Sequence, residues 1–260
     1  MNEPAPALDI GRCSARGLRS RNEDAVGVLA RGIAVVADGV GGNPDGARAS
    51  SLATEAAVNW LDTGPEDPVA ALLSVPVVAS DALAVAEPPL HPRAATGLAA
   101  ARVRGGIGYA LAVGDCRVCV LREDAQGSWR AVSSTADHDR LALLARDVAA
   151  ALRLGRDPVA LSAEAAAEAS RRLLEAVRSH TPREPSSPVV ATPVRPGDVV
   201  LLTTDGVHDV LGTVGVAELL GRLEPGTAAA GISESLVHEA LEHGSEDNCT
   251  SAVIRIPRAS

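Results

Sequence analysis

The stretch Ala34-Val35-Val36-Ala37-Asp38-Gly39-Val40 is an apolar run that ends in one carboxylate and a glycine, and Leu201-Leu202-Thr203-Thr204-Asp205-Gly206-Val207 has the same plan. Short apolar runs ended by glycine are typical of buried β-strands. A third acid, Asp247, precedes the apolar run 251–256, and a fourth acidic cluster, Asn22-Glu23-Asp24, precedes the first apolar stretch. Because a buried carboxylate is costly without a positive partner, acids at several strand ends predict a shared cation.

The composition predicts a folded, acidic protein that binds neither nucleic acid nor a membrane. The chain has 260 residues, 46% of them hydrophobic, which is enough to bury a sizeable core. Its net charge of −9 and its lack of Phe leave neither a basic surface nor aromatic platforms for bases. No apolar stretch approaches the length of a membrane span, and residues 1–4 lack the basic and apolar regions of a secretion signal. We therefore expect a soluble cytoplasmic protein.

Hydrophobic periodicity and turn residues predict an α+β fold. Strands are expected at 25–30, 33–37, 96–103, 107–113, 117–122, 129–133, 189–194, 199–204 and 250–256. Helices are expected at 45–61, 69–86, 214–223 and 228–243, and across the Ala-rich stretch 139–180. Consecutive hairpins with paired helices favour an antiparallel β-sandwich flanked by helix pairs on both faces. We expect one domain over 1–260, with a core from about 11 to 256, and a monomer.

The chain has four cysteines, and Cys116 and Cys119 form a CxxC pattern. Both lie near the predicted strand 117–122, where side chains three residues apart point to opposite faces. The pattern therefore indicates ordinary thiols rather than a shared metal or a disulfide.

The acids at the strand ends suggest a specific chemistry. All candidate ligands are oxygens, with no His or Cys set at zinc spacing, and this favours Mg²⁺ or Mn²⁺. Gathered acids could hold two such ions about 3.5–4 Å apart with a bridging water, which is a nucleophile near neutral pH. Arg19 lies five residues before Asp24, and its planar fork could take two phosphate oxygens. Together these features indicate phosphate-ester hydrolysis.

Five motifs follow one another along the chain. They are Arg19-Ser20-Arg21-Asn22-Glu23-Asp24, Ala37-Asp38-Gly39-Val40-Gly41-Gly42, Gly114-Asp115-Cys116-Arg117, Thr204-Asp205-Gly206 and Asp247-Asn248. In this order they resemble the motifs of metal-dependent protein phosphatases of the PP2C (PPM) family, and of its bacterial serine/threonine type. The resemblance extends from about Gly11 to Ile256. A single Asp-Gly pair is a common turn, but five ordered motifs at fitting strand ends form a specific pattern.

The resemblance implies a centre of two Mn²⁺ or Mg²⁺ ions. Asp38 would bridge the two ions, and the carbonyl oxygen of Gly39 would bind one of them. Asp205 and Asp247 would hold the other ion.

The resemblance also implies roles around this centre. Glu23 and Asp24 would act mainly through metal-bound waters, and Arg19 would bind the substrate phosphate. Asp115 would help form a third, weaker metal site, and Asn248 would orient Asp247 or a metal-bound water.

The function implied by the resemblance is hydrolysis of phosphoserine and phosphothreonine in proteins, by direct attack of the bridging water, in opposition to a serine/threonine kinase. The sequence departs from the family at Val40, where Met or His is usual, at Thr96-Gly97, which inverts a usual Gly-Thr, and in the Ala-rich flap region 137–188. A catalytically weak regulatory or phospho-sensing module is therefore an alternative. A nuclease or small-molecule phosphohydrolase is a further one, and the negative charge disfavours the nuclease. We expect His208 to lie on a short helix after Asp205 rather than to donate a proton.

Overall fold

The structure is a computed structural model that describes residues 7–41, 44–135, 176–179 and 188–258. The strands in these ranges are β1 Asp9–Ala15, β2 Asp24–Leu29, β3 Ile33–Gly39, β4 Thr96–Arg104, β5 Ile107–Val113, β6 Arg117–Glu123, β7 Trp129–Ser134, β8 Val190–Pro193, β9 Val199–Thr203 and β10 Cys249–Arg255. The helices are α1 Gly46–Thr63, α2 Pro68–Ala84, α3 Asp205–Arg222 and α4 Ala229–Glu242.

The strands form two five-stranded sheets. The first sheet has the order β1-β10-β9-β6-β7 and the second has the order β2-β3-β4-β5-β8, with antiparallel pairing between neighbours. Helices α1 and α2 pack on the second sheet, and α3 and α4 pack on the first. The predicted α+β sandwich with helix pairs on both faces is thus confirmed.

The central strands β3 and β9 bury aliphatic residues on both of their faces. Along β3, Val35 packs toward α1 and α2, whereas Ala34 and Val36 pack between the two sheets. Both faces of the strand are buried, which is why it reads as a continuous apolar run instead of an alternating one. Along β9, Leu202 likewise faces the other sheet and Leu201 faces α3 and α4.

The same alternation directs the carboxyl groups of Asp24 and Asp38 into the gap between the sheets, at one end of the sandwich. Asp38 follows Ala34 and Val36 at even spacing, and Asp24 precedes Val26, which packs against the same core between the sheets. Because side chains two apart in a strand share a face, both carboxyls are directed into the gap between the sheets.

Most predicted elements lie within two residues of the observed ones, and the exceptions have physical reasons. Strand β1 was not predicted, since few of its residues are large and apolar; its pairing with β10 makes it a strand. Helix α3 joins two helical segments across non-helical backbone at Gly212 (φ 60°, ψ 176°): the first is the short helix expected after Asp205, and the second is the helix expected at 214–223. The helix predicted over 139–180 lies outside the described residues except for 176–179, where Val177 instead pairs with Thr96.

The cysteines of the CxxC pattern lie on opposite faces of the first sheet, as the spacing predicted. Cys116 packs between the two sheets, and Cys119 packs on the opposite face toward α3 and α4.

Within the described ranges, no helix combines the length and the apolar character needed to cross a bilayer.

Candidate metal and phosphate site

The site begins where β2 and β3 pair. Asp24 and Asp38 are direct partners in the antiparallel register, so their backbones are neighbours at the end of the sandwich. Gly39 follows, and a Cβ at this position would lie 2.5 Å from the backbone of Gly46 and 2.8 Å from the carbonyl oxygen of Glu23. Only glycine allows the start of α1 to approach the end of β3 so closely.

The first sheet supplies Asp205, which directly follows β9. Thr204 donates its backbone N–H to the carbonyl oxygen of Thr250 over 3.0 Å, which fixes the end of β9 against β10. The carboxyl group of Asp205 lies close to that of Asp38 at this end of the sandwich. Burial, followed by the charge of Asp205, raises the pKa of Asp38 well above its usual value.

Asp24 and Asp205 each keep one buried oxygen without a partner. Oδ2 of Asp24 accepts a hydrogen bond of 2.9 Å from the hydroxyl of Thr204, whereas Oδ1 of Asp24 and Oδ1 of Asp205 have no hydrogen-bond partner within the described part of the chain. Burial raises the pKa of Asp24 to about 7, against the opposing effect of the nearby Thr250 and Thr204 side chains. Burial, with the charges of Asp247 and Asp209, raises the pKa of Asp205 to about 6. A hard cation bound here would provide the missing partner for both oxygens.

Asn248 ties the β1–β2 connection to the loop before β10. Its Oδ1 accepts from the backbone N–H of Glu23 over 2.8 Å, and its Nδ2 donates to the carbonyl oxygens of Arg16 and Arg21. The side chain of Glu23 lies at the start of α1, where a Cβ on Gly46 would be 3.3 Å from Oε2. Asn248 therefore positions the chain that carries Glu23, Asp24 and Arg19.

Arg19 and Asp247 form an ion pair at the rim. Nη2 of Arg19 lies 2.5 Å from Oδ2 of Asp247, and the two side chains are 51% and 33% exposed. The other oxygen of Asp247 accepts from the backbone N–H of Asn248 over 2.8 Å. Sequence reasoning placed both residues at the site but did not anticipate that they pair.

Asp115 approaches Asp38 across the start of β4. Asp38 is the register partner of Gly97, and a Cβ on Gly97 would lie 3.0 Å from Oδ1 of Asp115. The charge of Asp115 also contributes to the raised pKa of Asp38, after burial and the charges of Asp205 and Asp24. Thr96 was missed by the sequence analysis as a supporting residue: its hydroxyl donates to the carbonyl oxygen of Asp38 over 2.7 Å. The inverted Thr-Gly order thus leaves room for Asp115 while Thr96 supports the backbone.

In the described ranges, no three Asp, Glu, His or Cys side chains are placed so that they could hold one ion as they stand. The mutual electrostatic effects nevertheless join Asp38, Asp205, Asp24 and Asp247 into one group. Asp247 is turned toward Arg19, a cationic partner that a bound metal ion would replace. The donor set is otherwise all oxygen, which suits Mg²⁺ or Mn²⁺.

His208 takes part in the structure rather than in the acid cluster. It is 5% exposed, and its Nδ1 lies 2.9 Å from the hydroxyl of Thr203. Burial, with the charge of Arg117, lowers the pKa of His208 to about 3, so the ring is neutral near pH 7. A buried neutral imidazole bonded to a neighbouring hydroxyl fits the expectation that this residue is not a proton donor.

A cavity of about 400 Å³ opens beside the acids. Its lining includes Leu18, Arg19, Asp209, Val210, Glu246 and Asp247. The cavity thus joins the guanidinium of Arg19 to the acid cluster and is open to a ligand from solvent.

The protein phosphatase 2C family model matches residues 14–238. Among solved structures, the serine/threonine phosphatase PstP/Ppp of Mycobacterium tuberculosis is 27% identical, with a TM-score of 0.75 over 97% of this chain and 100% of that chain. The catalytic domain of PstP in complex with two manganese ions is 28% identical, with a TM-score of 0.74 over 97% of this chain and 99% of that chain. PppA, described as a key regulatory component of T6SS in Pseudomonas aeruginosa, is 26% identical, with a TM-score of 0.69 over 96% and 98% of the two chains.

A search of curated proteins finds no match to this chain. The family model nevertheless spans most of the chain, and both PstP structures match its fold over 97% of its length. The chain therefore belongs to the protein phosphatase 2C family of serine/threonine phosphatases.

Proposed function

We propose that this protein is a metal-dependent phosphoprotein phosphatase that hydrolyses phosphoserine and phosphothreonine. The observation that carries the proposal is the pair of buried carboxylate oxygens, on Asp24 and Asp205, that have no hydrogen-bond partner in the described part of the chain. A bound cation would stabilise these two oxygens, and no cationic side chain of the described residues hydrogen-bonds to either of them.

The proposed ligands of two ions are four groups at the end of the sandwich. Asp38 would be shared by both ions, the carbonyl oxygen of Gly39 would serve one, and Asp205 and Asp247 would serve the other. Two bound ions supply an acidified water as nucleophile and stabilise charge that develops on a transferred phosphoryl group. Burial raises the pKa of Asp38, and a metal ligand has to be ionised, so metal affinity should rise with pH.

The remaining residues would set the geometry around the ligands. Asp24, held by Thr204, would accept hydrogen bonds from waters of the centre, and Glu23 would do the same from the start of α1. Asp115 would add a third, weaker site beside Asp38. Asn248, in the loop before β10, would hold the β1–β2 connection in place through its three hydrogen bonds.

Arg19 would bind the substrate phosphate. Its guanidinium is half-exposed at the mouth of the cavity and is held only by the carboxylate of Asp247 in the described contacts. A cation on Asp247 would compete for that carboxylate and free the planar fork for two phosphate oxygens.

Similarity to known phosphatases supports the choice of reaction and metal. PstP/Ppp is a serine/threonine phosphatase, and the PstP catalytic domain was solved with manganese. The opposing kinase, the cytoplasmic location and the monomeric state stay predictions from the sequence.

The test is phosphate release from a phosphothreonine peptide with Mn²⁺, with Mg²⁺ and with EDTA. Asp38→Asn should reduce turnover by about a hundredfold or more, because metal centres supply several kcal/mol of transition-state stabilisation. Asp81→Asn, an exposed acid on α2, is the matched control and should keep full activity. Full activity of Asp38→Asn, or activity in EDTA, would refute the mechanism. Metal-dependent binding of the peptide without phosphate release would favour the phospho-sensing alternative.

A further inference from the structure

A closed ring of hydrogen bonds runs through Asp24 and joins the two sheets. On one side, the backbone N–H of Asp24 donates to Oδ1 of Asn22 over 3.1 Å, and Nδ2 of Asn22 donates to the hydroxyl of Ser14 over 2.8 Å. The hydroxyls of Ser14 and Thr250 lie 2.7 Å apart and share a hydrogen bond. On the other side, the hydroxyl of Thr204 donates to Oδ2 of Asp24 over 2.9 Å and accepts from the backbone N–H of Thr250 over 3.1 Å. Asp24 is thus held through both its backbone and its carboxyl group.

Thr204 is the member of this ring that fixes the carboxyl group. Its side chain is completely buried directly after β9. A hydroxyl has a single proton to donate, and the N–H of Thr250 already occupies one of its acceptor positions. Oδ2 of Asp24 at 2.9 Å is a nearer acceptor for that proton than the carbonyl oxygen of Thr250 at 3.5 Å. The bond from the Thr250 backbone therefore orients the Thr204 hydroxyl toward Asp24.

This contact also decides which oxygen of Asp24 remains for the proposed centre. Since Oδ2 is held by Thr204, the carboxyl group cannot turn freely, and Oδ1 is the oxygen without a partner in the described part of the chain. Asp24 is the register partner of Asp38, and Thr204 directly precedes Asp205. One buried hydroxyl therefore connects the acids of the second sheet to the acid of the first.

We propose that Thr204 is a positioning residue of the metal centre, and that its hydroxyl orients Asp24 so that Oδ1 faces the bound ions. This inference rests on the proposed function and assigns a role to a residue that binds neither metal nor phosphate. Loss of an outer hydrogen-bonding partner of a metal site typically lowers metal affinity or activity by about ten- to a hundredfold. Because Asp24 would act through metal-bound waters, we expect the lower end of that range, about tenfold.

The experiment measures Mn²⁺ binding to the metal-free protein by isothermal titration calorimetry. Thr204→Val keeps the shape of the side chain but can neither donate nor accept, and it should weaken Mn²⁺ binding about tenfold. Thr204→Ser keeps the hydroxyl and should bind Mn²⁺ close to the wild-type affinity. Thr204→Ala also lacks the hydroxyl and introduces no new atoms, so it replaces the valine variant if that variant does not fold.

Thr54→Val is the matched control, because Thr54 is another buried threonine and its hydroxyl has no partner among the described residues. It should keep the wild-type affinity for Mn²⁺. The Tm in EDTA separates positioning from stability. A Thr204→Val protein with a lowered Tm but wild-type Mn²⁺ affinity would overturn the proposal, because Thr204 would then only stabilise the fold. An equal loss of affinity in Thr204→Ser would also overturn it, because the hydroxyl would then not be the cause.

Turnover of p-nitrophenyl phosphate gives an independent readout. Thr204 is not among the residues that line the cavity beside Arg19, so Thr204→Val should lower kcat and leave KM unchanged at saturating Mn²⁺. A raised KM with an unchanged kcat would contradict the assigned role.

Failure of the proposed function gives a different result, since the wild type would then bind Mn²⁺ without releasing phosphate. The difference in Mn²⁺ affinity between the valine and serine variants would still decide the role of Thr204. A wild type that binds no Mn²⁺ would overturn both proposals.

Discussion

Asp24→Asn should make the metal-free protein more stable at pH 8 while leaving its stability at pH 5 nearly unchanged. The wild-type carboxyl group lies at the end of the sandwich, accepts one hydrogen bond from Thr204, and keeps a second oxygen that is buried without a partner in the described contacts. Burial raises its pKa from 3.8 to about 7. The substitution keeps the shape and the acceptor toward Thr204 but removes the charge.

The sign follows from proton linkage. Above pH 3.8 the unfolded chain releases the proton of Asp24, whereas the folded protein keeps it until about pH 7. The folded state binds more protons across this window, so its stability falls as the pH rises, by roughly 4 kcal/mol in total at pH 8 and somewhat under 2 kcal/mol at pH 5.

The asparagine variant escapes that penalty but introduces an amide N–H that has to find a partner, at a cost of about 1–2 kcal/mol. The net gain at pH 8 is then about 2 kcal/mol, and at pH 5 the two effects cancel to within about 1 kcal/mol. For a chain of this size, the gain at pH 8 corresponds to an increase in Tm of roughly 4–8 °C.

The assay is thermal unfolding in EDTA at both pH values, followed by circular dichroism, with Asp81→Asn as the exposed control. Mn²⁺ should raise the Tm of the wild type more than that of Asp24→Asn, because the variant lacks the charge that the cation relieves. The reasoning is refuted if the variant is no more stable than the wild type at pH 8. An equal gain at both pH values would also refute it, since the effect would then not come from ionisation.

Three further outcomes are expected. Asp198→Ala should lower the unfolding free energy by about 3 kcal/mol in urea titrations, because its 2%-exposed carboxylate accepts two hydrogen bonds from Arg122; a change below about 1 kcal/mol would contradict the importance of this pair. Arg19→Gln should tighten Mn²⁺ binding about two- to fivefold by isothermal titration calorimetry, because it frees Asp247, and weaker binding would show that the pair does not compete with the metal. Gly206→Ala should lose both stability and the Mn²⁺-dependent increase in Tm, because a Cβ there would overlap the backbone before β10; a wild-type response to Mn²⁺ would argue against that close contact.

The strand pattern was readable from the sequence because β3 and β9 are buried on both faces and therefore appear as unbroken apolar runs. The same runs placed Asp38 and Asp205 at strand ends, where the structure has them. Strand β1 could not be read in this way, since its conformation depends on pairing with β10, which is more than two hundred residues away in the chain.

The sequence likewise did not predict which side chains of the site contact each other. The pairing of Arg19 with Asp247 and the hydrogen bond from Thr204 to Asp24 join residues that are 228 and 180 positions apart. The cavity beside Arg19 is lined by α3 and by the loop before β10, and no local pattern predicts that these two segments lie side by side.

The sequence by itself determined most of the strands, β1 excepted, and that several acids end apolar runs, because these properties depend on burial and on the local order of residues. Only the tertiary structure decided which carboxyls lie close together, which of their oxygens lack a partner among the described residues, and that Arg19 pairs with Asp247. Those properties depend on distances of a few ångströms between strands of two sheets, and such distances are set by packing.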